Sequence, residues 1–143
     1  MIKVMVVEDN ALVRDALVDF LDGTPGVTVV GACCDGTGVV ETARRTHPDV
    51  VLMDIAMPRM DGLEAARMLL TEDTRSRVVV LTGSLTMEHV RRAHALGAAG
   101  FLLKDGDPGE LCEAIRAVAE GGSAWSPSMR AYLPPAEPTD AMR

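Results

Sequence analysis

Val50-Val51-Leu52-Met53-Asp54-Ile55-Ala56-Met57-Pro58 is an apolar run that ends on a carboxylate and passes into a loop. Four aliphatic residues with no polar alternation read as a strand covered on both faces, as in a parallel sheet. Three further runs repeat the arrangement. Val4-Met5-Val6-Val7 ends on Glu8-Asp9, Val78-Val79-Val80-Leu81 on Thr82, and Phe101-Leu102-Leu103 on Lys104. In an open parallel sheet, ligands bind beyond the carboxyl ends of the strands. Three carboxylates, a hydroxyl and an ammonium are therefore expected on one rim. Carboxylates there can hold a hard divalent cation, while the hydroxyl and the lysine can hold phosphate oxygens.

Outward from these strands, strand and helix patterns alternate five times. Asn10 caps a helix with Leu12, Val13, Ala16, Leu17, Phe20 and Leu21 on one stripe and Arg14, Asp15 and Asp19 outside it. A second strand follows from Val27 to Ala32, and Gly36-Thr37-Gly38 opens a second helix that His47-Pro48 closes. Asp61 and Glu64 have the spacing of an N-cap and its N3 partner. Thr86 starts the fourth helix and Gly97 ends it, and Asp107-Pro108 starts the fifth. Short connections and right-handed crossovers then favour an α/β, flavodoxin-like, doubly wound (βα)5 domain. Its five-stranded parallel sheet has the expected order 2-1-3-4-5, which sets the Glu8-Asp9 strand beside the Asp54 strand at the switch point. The expected organisation is one domain over residues 1–122. From 123 to 143 the residues turn rich in proline, alanine and serine and read as a linker or tail.

The bulk numbers agree. A chain of 143 residues carries one domain with a substantial core, aliphatic and methionine-rich because only Phe20, Phe101, Trp125 and Tyr132 are aromatic. The net charge of -7 argues against nucleic-acid binding by this chain, since phosphate contacts need a basic surface. Cys33, Cys34 and Cys112 lack metal-ligand spacing and read as small apolar residues in a reducing compartment. No signal peptide or membrane-spanning stretch is evident, so a cytoplasmic location with no membrane partner is expected.

Val6-Val7-Glu8-Asp9-Asn10, Asp54-Ile55-Ala56-Met57-Pro58-Arg59-Met60-Asp61-Gly62, Leu81-Thr82-Gly83 and Gly100-Phe101-Leu102-Leu103-Lys104 together resemble the receiver domain of two-component response regulators. The resemblance runs from about Ile2 to Gly122. It implies a phosphorylation switch in which Asp54 accepts a phosphoryl group from a sensor histidine kinase. It further implies Mg2+, with Mn2+ as a substitute, held by Glu8, Asp9, Asp54 and the backbone carbonyl of Ala56. Lys104, the Thr82 hydroxyl and the backbone of Gly83 would bind the phosphoryl group. Thr82 and Phe101 would form the switch, and Phe101, lacking the hydroxyl of the more usual tyrosine, would act by packing alone. Leu103-Lys104-Asp105, Glu110-Leu111 and the Gly122 to Pro127 stretch resemble the LuxR-type subgroup of transcriptional regulators. That subgroup implies self-association through the fourth helix, fifth strand and fifth helix, and DNA contact only through a C-terminal domain outside this chain. A stand-alone receiver is the alternative.

Each residue also has an ordinary use: an Asp after a strand forms turns, Glu8-Asp9 can precede a helix cap, and a loop lysine is commonly solvated. Their coincidence at four strand ends favours the site. A phosphohydrolase working through an aspartyl phosphate wants a second acid two residues past the nucleophile, where this chain has Ala56. A flavin or nucleotide domain wants a glycine-rich loop after the first strand, where Glu8-Asp9 would repel phosphate unless a metal intervened.

Overall fold

The computed structural model describes residues 1–57, 60–72, 75–84 and 86–133. Pro58 and Arg59 of the loop motif and the proline-rich segment 134–143 lie outside the described residues. The strands are β1 (Ile2–Val7), β2 (Val27–Cys33), β3 (Val50–Asp54), β4 (Arg77–Thr82), β5 (Gly100–Leu103) and β6 (Ala124–Trp125). The helices are α1 (Ala11–Asp22), α2 (Val39–Thr46), α3 (Gly62–Glu72), α4 (Met87–Ala95), α5 (Pro108–Ala119) and the short α6 (Pro127–Arg130).

Every strand pair is parallel, and the order is β2-β1-β3-β4-β5-β6. The expected five-strand order holds through β5, but the sheet has six strands. Ala124 pairs with Gly100 and Trp125 with Phe101. The approach needs a glycine: a Cβ on Gly100 would lie 2.4 Å from the Ala124 carbonyl oxygen. Residues read from composition as the start of a linker therefore pack on the domain. Trp125 and Met129 are buried, and Tyr132 and Leu133 lie against the same core. Burying these apolar groups outweighs the local proline signal.

Alternation along the strands divides the core into two layers. Val4, Val6, Val50, Leu52, Val79, Leu81 and Leu102 pack with Leu21 of α1 and Ala114, Ile115 and Val118 of α5. Met5, Val7, Val51, Met53, Val78, Val80 and Phe101 pack with apolar residues of α2, α3 and α4. The caps form as the sequence suggests. Asn10 accepts from the Val13 N–H at 3.1 Å, and Asp61 accepts from the Glu64 N–H at 2.8 Å. The α1 stripe departs from expectation: Leu21 is its one fully buried member, and Leu12 is 83% exposed. Leu12, Val13, Ala16, Leu17 and Phe20 instead line a groove of about 610 Å³ whose other wall includes Leu103, Pro108 and Leu111. Leu21 and, in part, Leu17 reach the core on the sheet, while the outer part of the stripe faces the groove.

Candidate functional site at the carboxyl edge of the sheet

The β1 and β3 ladder brings Val7 opposite Met53, so the residues that follow them emerge side by side. Carboxylate oxygens of Glu8, Asp9 and Asp54 lie within 4.8 Å of one another. Glu8 is 1% exposed and Asp54 3%, while Asp9 is open to solvent. Two carboxylates are thus held at the floor of the site and a third stands at its mouth. This oxygen-only donor set, compact and open to solvent at Asp9, is the kind that suits Mg2+ or Mn2+.

Lys104 arrives from the end of β5. Its ammonium donates to Glu8 Oε1 at 2.5 Å and lies 3.1 Å from Asp54 Oδ2. One ammonium thus faces two buried carboxylates. The balance shows in the acidities. Burial is the chief reason that the Asp54 carboxyl is pushed up to about 6; the Lys104 hydrogen bond opposes the shift and the Glu8 charge adds to it. For Lys104, burial alone would lower the pKa, but its bonds to Glu8 and Asp54 more than offset this and hold it above the ordinary lysine value. A partly desolvated carboxylate with a cation alongside can act as a nucleophile when its incoming partner's negative charge is neutralised.

Thr82 ends β4 and is buried, but its hydroxyl is turned into its own loop. It donates to the Ser84 carbonyl at 2.7 Å and accepts from the Ser84 N–H at 3.2 Å. Gly83 is exposed, and a Cβ there would meet nothing within 4 Å, so its side-chain position is open space. Ala56 is exposed and its N–H donates to Asp54 Oδ1 at 3.4 Å, a local turn at the end of β3. Phe101 is fully buried, with its ring centroid 6.2 Å from that of Trp125. Trp125 in turn lies 5.7 Å from the His94 ring on α4. Any movement of Phe101 therefore takes place within a packed aromatic layer rather than inward from solvent.

Two residues gain a role that the sequence pattern did not assign. Gly62 opens α3 against the end of β3: its N–H donates to the Ile55 carbonyl at 2.9 Å, and a Cβ on it would lie 1.8 Å from the Asp54 carbonyl oxygen. Arg14 reaches back from α1, and its Nη1 donates to the Glu8 carbonyl at 3.0 Å. A glycine following an N-cap Asp was the available signal for the first; for the second, an arginine outside the apolar stripe gave none.

The family model for the response regulator receiver domain matches residues 4–116. The chain is 40% identical over 120 residues to YxjL, an uncharacterized transcriptional regulatory protein of Bacillus subtilis, covering 84% of this chain and 55% of that protein. It is 37% identical over 131 residues to the nitrate/nitrite response regulator protein NarP of Escherichia coli, covering 92% of this chain and 61% of the relative. The chain thus spans little more than half the length of these curated relatives. Among solved structures, a LuxR-family two-component response regulator from Aurantimonas sp. SI85-9A1 superposes with a TM-score of 0.86 at 32% identity, covering 91% of this chain and 93% of that one. The response regulator domain of Thermotoga maritima CheB superposes with a TM-score of 0.73 at 32% identity, covering 84% of this chain and 97% of that one. The chain belongs to the response regulator receiver domain family.

Proposed function

We propose that this receiver takes its phosphoryl group on Asp54. The observation that carries the reading is the convergence of Glu8, Asp9 and Asp54 within 4.8 Å, with Lys104 bridging the two buried members. An Asp54 carboxylate oxygen attacks the phosphorus of a phosphohistidine on a sensor kinase. The O–P bond forms, the N–P bond breaks, and the departing imidazole nitrogen takes up a proton. Glu8, Asp9, Asp54 and the Ala56 carbonyl would hold Mg2+, which would supply neutralisation of charge on the phosphoryl oxygens. Lys104 pairs with one of those oxygens, which requires it to loosen from Glu8. Thr82 gives up its bonds to Ser84 and turns its hydroxyl toward the phosphoryl group, and the Gly83 N–H donates beside it. Phe101 then repacks against Trp125, altering the surface of α4, β5 and α5.

Output in this reading passes through a C-terminal DNA-binding domain beyond a linker, as the names and lengths of the transcriptional relatives support. The face of α4, β5 and α5 is the proposed site of self-association: Arg91 and Arg92 are exposed on α4, and Glu110, Glu113 and Glu120 on or beside α5. A two-fold axis can set each basic helix against the partner's acidic one. Fluorine NMR of the protein with beryllofluoride, a phosphoryl analogue, tests the site. A bound-fluoride signal that needs Mg2+ and disappears in Asp54→Asn supports it, and a signal indifferent to both contradicts it.

A further inference from the structure

We infer that Arg14 is a positioning residue for the cation site, acting on Asp9 through the Glu8 peptide group; this rests on the proposed reading of that site. Glu8 has all of its polar atoms engaged. The Glu8 N–H donates to the Cys33 carbonyl at 3.0 Å, and the Glu8 carbonyl accepts from Arg14 Nη1 at 3.0 Å. Its Oε2 accepts from the Asn10 N–H at 3.1 Å, and its Oε1 from Lys104 Nζ at 2.5 Å.

Asp9 is the contrast. It is exposed, it lies between a strand and a helix cap, and its carboxylate makes no hydrogen bond or ion pair among the described residues. What fixes the direction of its side chain is therefore its backbone. The Glu8 carbonyl and the Asp9 N–H belong to one planar peptide unit. Holding that carbonyl sets the orientation of the plane and the bond along which Asp9 leaves the chain. On the far side, Asn10 is fastened by its N–H to Glu8 and by its side chain to the Val13 N–H. Arg14 closes the near side. It is half-buried and sits one turn into α1, where its own N–H bonds to the Asn10 carbonyl at 2.8 Å, so the helix fixes the backbone from which the guanidinium reaches.

Electrostatics alone gives the opposite expectation. A guanidinium beside an acidic pocket repels a divalent cation, so its removal by that effect should tighten cation binding. The two accounts differ in sign, which makes the position informative.

The test uses MgCl2 and, separately, MnCl2 titrated into the full chain by calorimetry, with wild type, Arg14→Met and Arg14→Lys. Both substitutions keep a long, straight, helix-compatible side chain, so α1 is preserved. Lost outer-shell orientation typically weakens a metal site about 10- to 100-fold, and Arg14→Met should fall at the lower end, near tenfold. Arg14→Lys, which keeps a donor of similar reach, should recover most of the affinity. With a small phosphoryl donor, the Mg2+ concentration giving half the maximal labelling rate should rise in Arg14→Met, while the rate at saturating Mg2+ stays close to wild type. Amide exchange at Asn10, whose N–H is held by Glu8 Oε2, should quicken in the cation-free Arg14→Met protein. Unchanged or tighter binding by Arg14→Met overturns the inference, and so does Arg14→Lys as weak as Arg14→Met. Wild-type protein that binds neither cation overturns the underlying site reading as well.

Discussion

Lys104 Nζ lies 3.1 Å from Asp54 Oδ2, close enough that the ammonium occupies part of the space a phosphoryl oxygen would take. The same ammonium is 2.5 Å from Glu8. Two buried carboxylates and one cation leave a negative charge that the resting protein carries at a cost.

That cost should be visible as pH-dependent stability. The Asp54 carboxyl is raised from its ordinary 3.8 to about 6, mainly by burial, so the fold favours its protonated form. Its contribution to stability is fully present below the unfolded value and is lost as the pH rises through about 6. In cation-free buffer near neutral pH, Asp54→Asn should therefore be more stable than wild type, by on the order of 1–3 kcal/mol. The gap should shrink toward about pH 4, where both forms are neutral, and also when Mg2+ is added to wild type. Denaturant unfolding across this range checks it; a gap that widens as the pH falls would contradict it.

Lys104→Met should act in the other direction. Without the ammonium, Glu8 and Asp54 face each other uncompensated, and the cation-free protein should lose about 1–3 kcal/mol, discounted because the lysine side chain is 29% exposed. Mg2+ should restore a large part of that loss, because a cation then replaces the missing charge. Equal destabilisation with and without Mg2+ in thermal melts would show that Lys104 contributes packing rather than charge.

The steric closure at Gly62 predicts an asymmetry between two glycines beside the site. Gly62→Ala would drive a methyl group into the Asp54 carbonyl, shifting α3 or the Asp54 backbone at a cost of about 1–3 kcal/mol. Gly83→Ala meets nothing within 4 Å and should leave stability near wild type. Melting curves and labelling rates of the two variants compare them; a harmless Gly62→Ala would mean that the β3–α3 junction yields freely.

Trp125 is the chain's one tryptophan and touches Phe101, so its emission should report the switch directly. Beryllofluoride with Mg2+ should change the emission of wild type. Thr82→Ala should lose most of the change while still binding the analogue, because the hydroxyl that must leave Ser84 is gone. An undiminished response in Thr82→Ala would uncouple Thr82 from Phe101.

Much of this architecture could be read from the chain because its signals are local. An apolar run ending on Asp54, with others ending on Glu8-Asp9, Thr82 and Lys104, sets strand, layer and rim together, and Asn10, Asp61, Thr86 and Asp107 mark helix starts through their own side-chain bonds. β6 escaped because Ala124 and Trp125 are too few for any periodicity and stand next to a proline-rich stretch. Gly100 and a lone tryptophan were its traces. The α1 stripe misled because periodicity tells which face is apolar, not whether a neighbour closes on it. The orientation of Thr82 toward Ser84 and the reach of Arg14 to Glu8 depend on rotamers, which residue identity alone does not specify.

The central claim is that Asp54 is the phosphoryl acceptor and that the acidic pocket makes it one by holding a divalent cation. Intact-mass measurement after treatment with acetyl phosphate tests this most directly, on wild type and Asp54→Asn, each with Mg2+ and with chelator. Wild type with Mg2+ should gain a single phosphoryl mass, lost with chelator and absent from Asp54→Asn. Equal labelling of Asp54→Asn, or labelling of wild type that ignores the chelator, would contradict it.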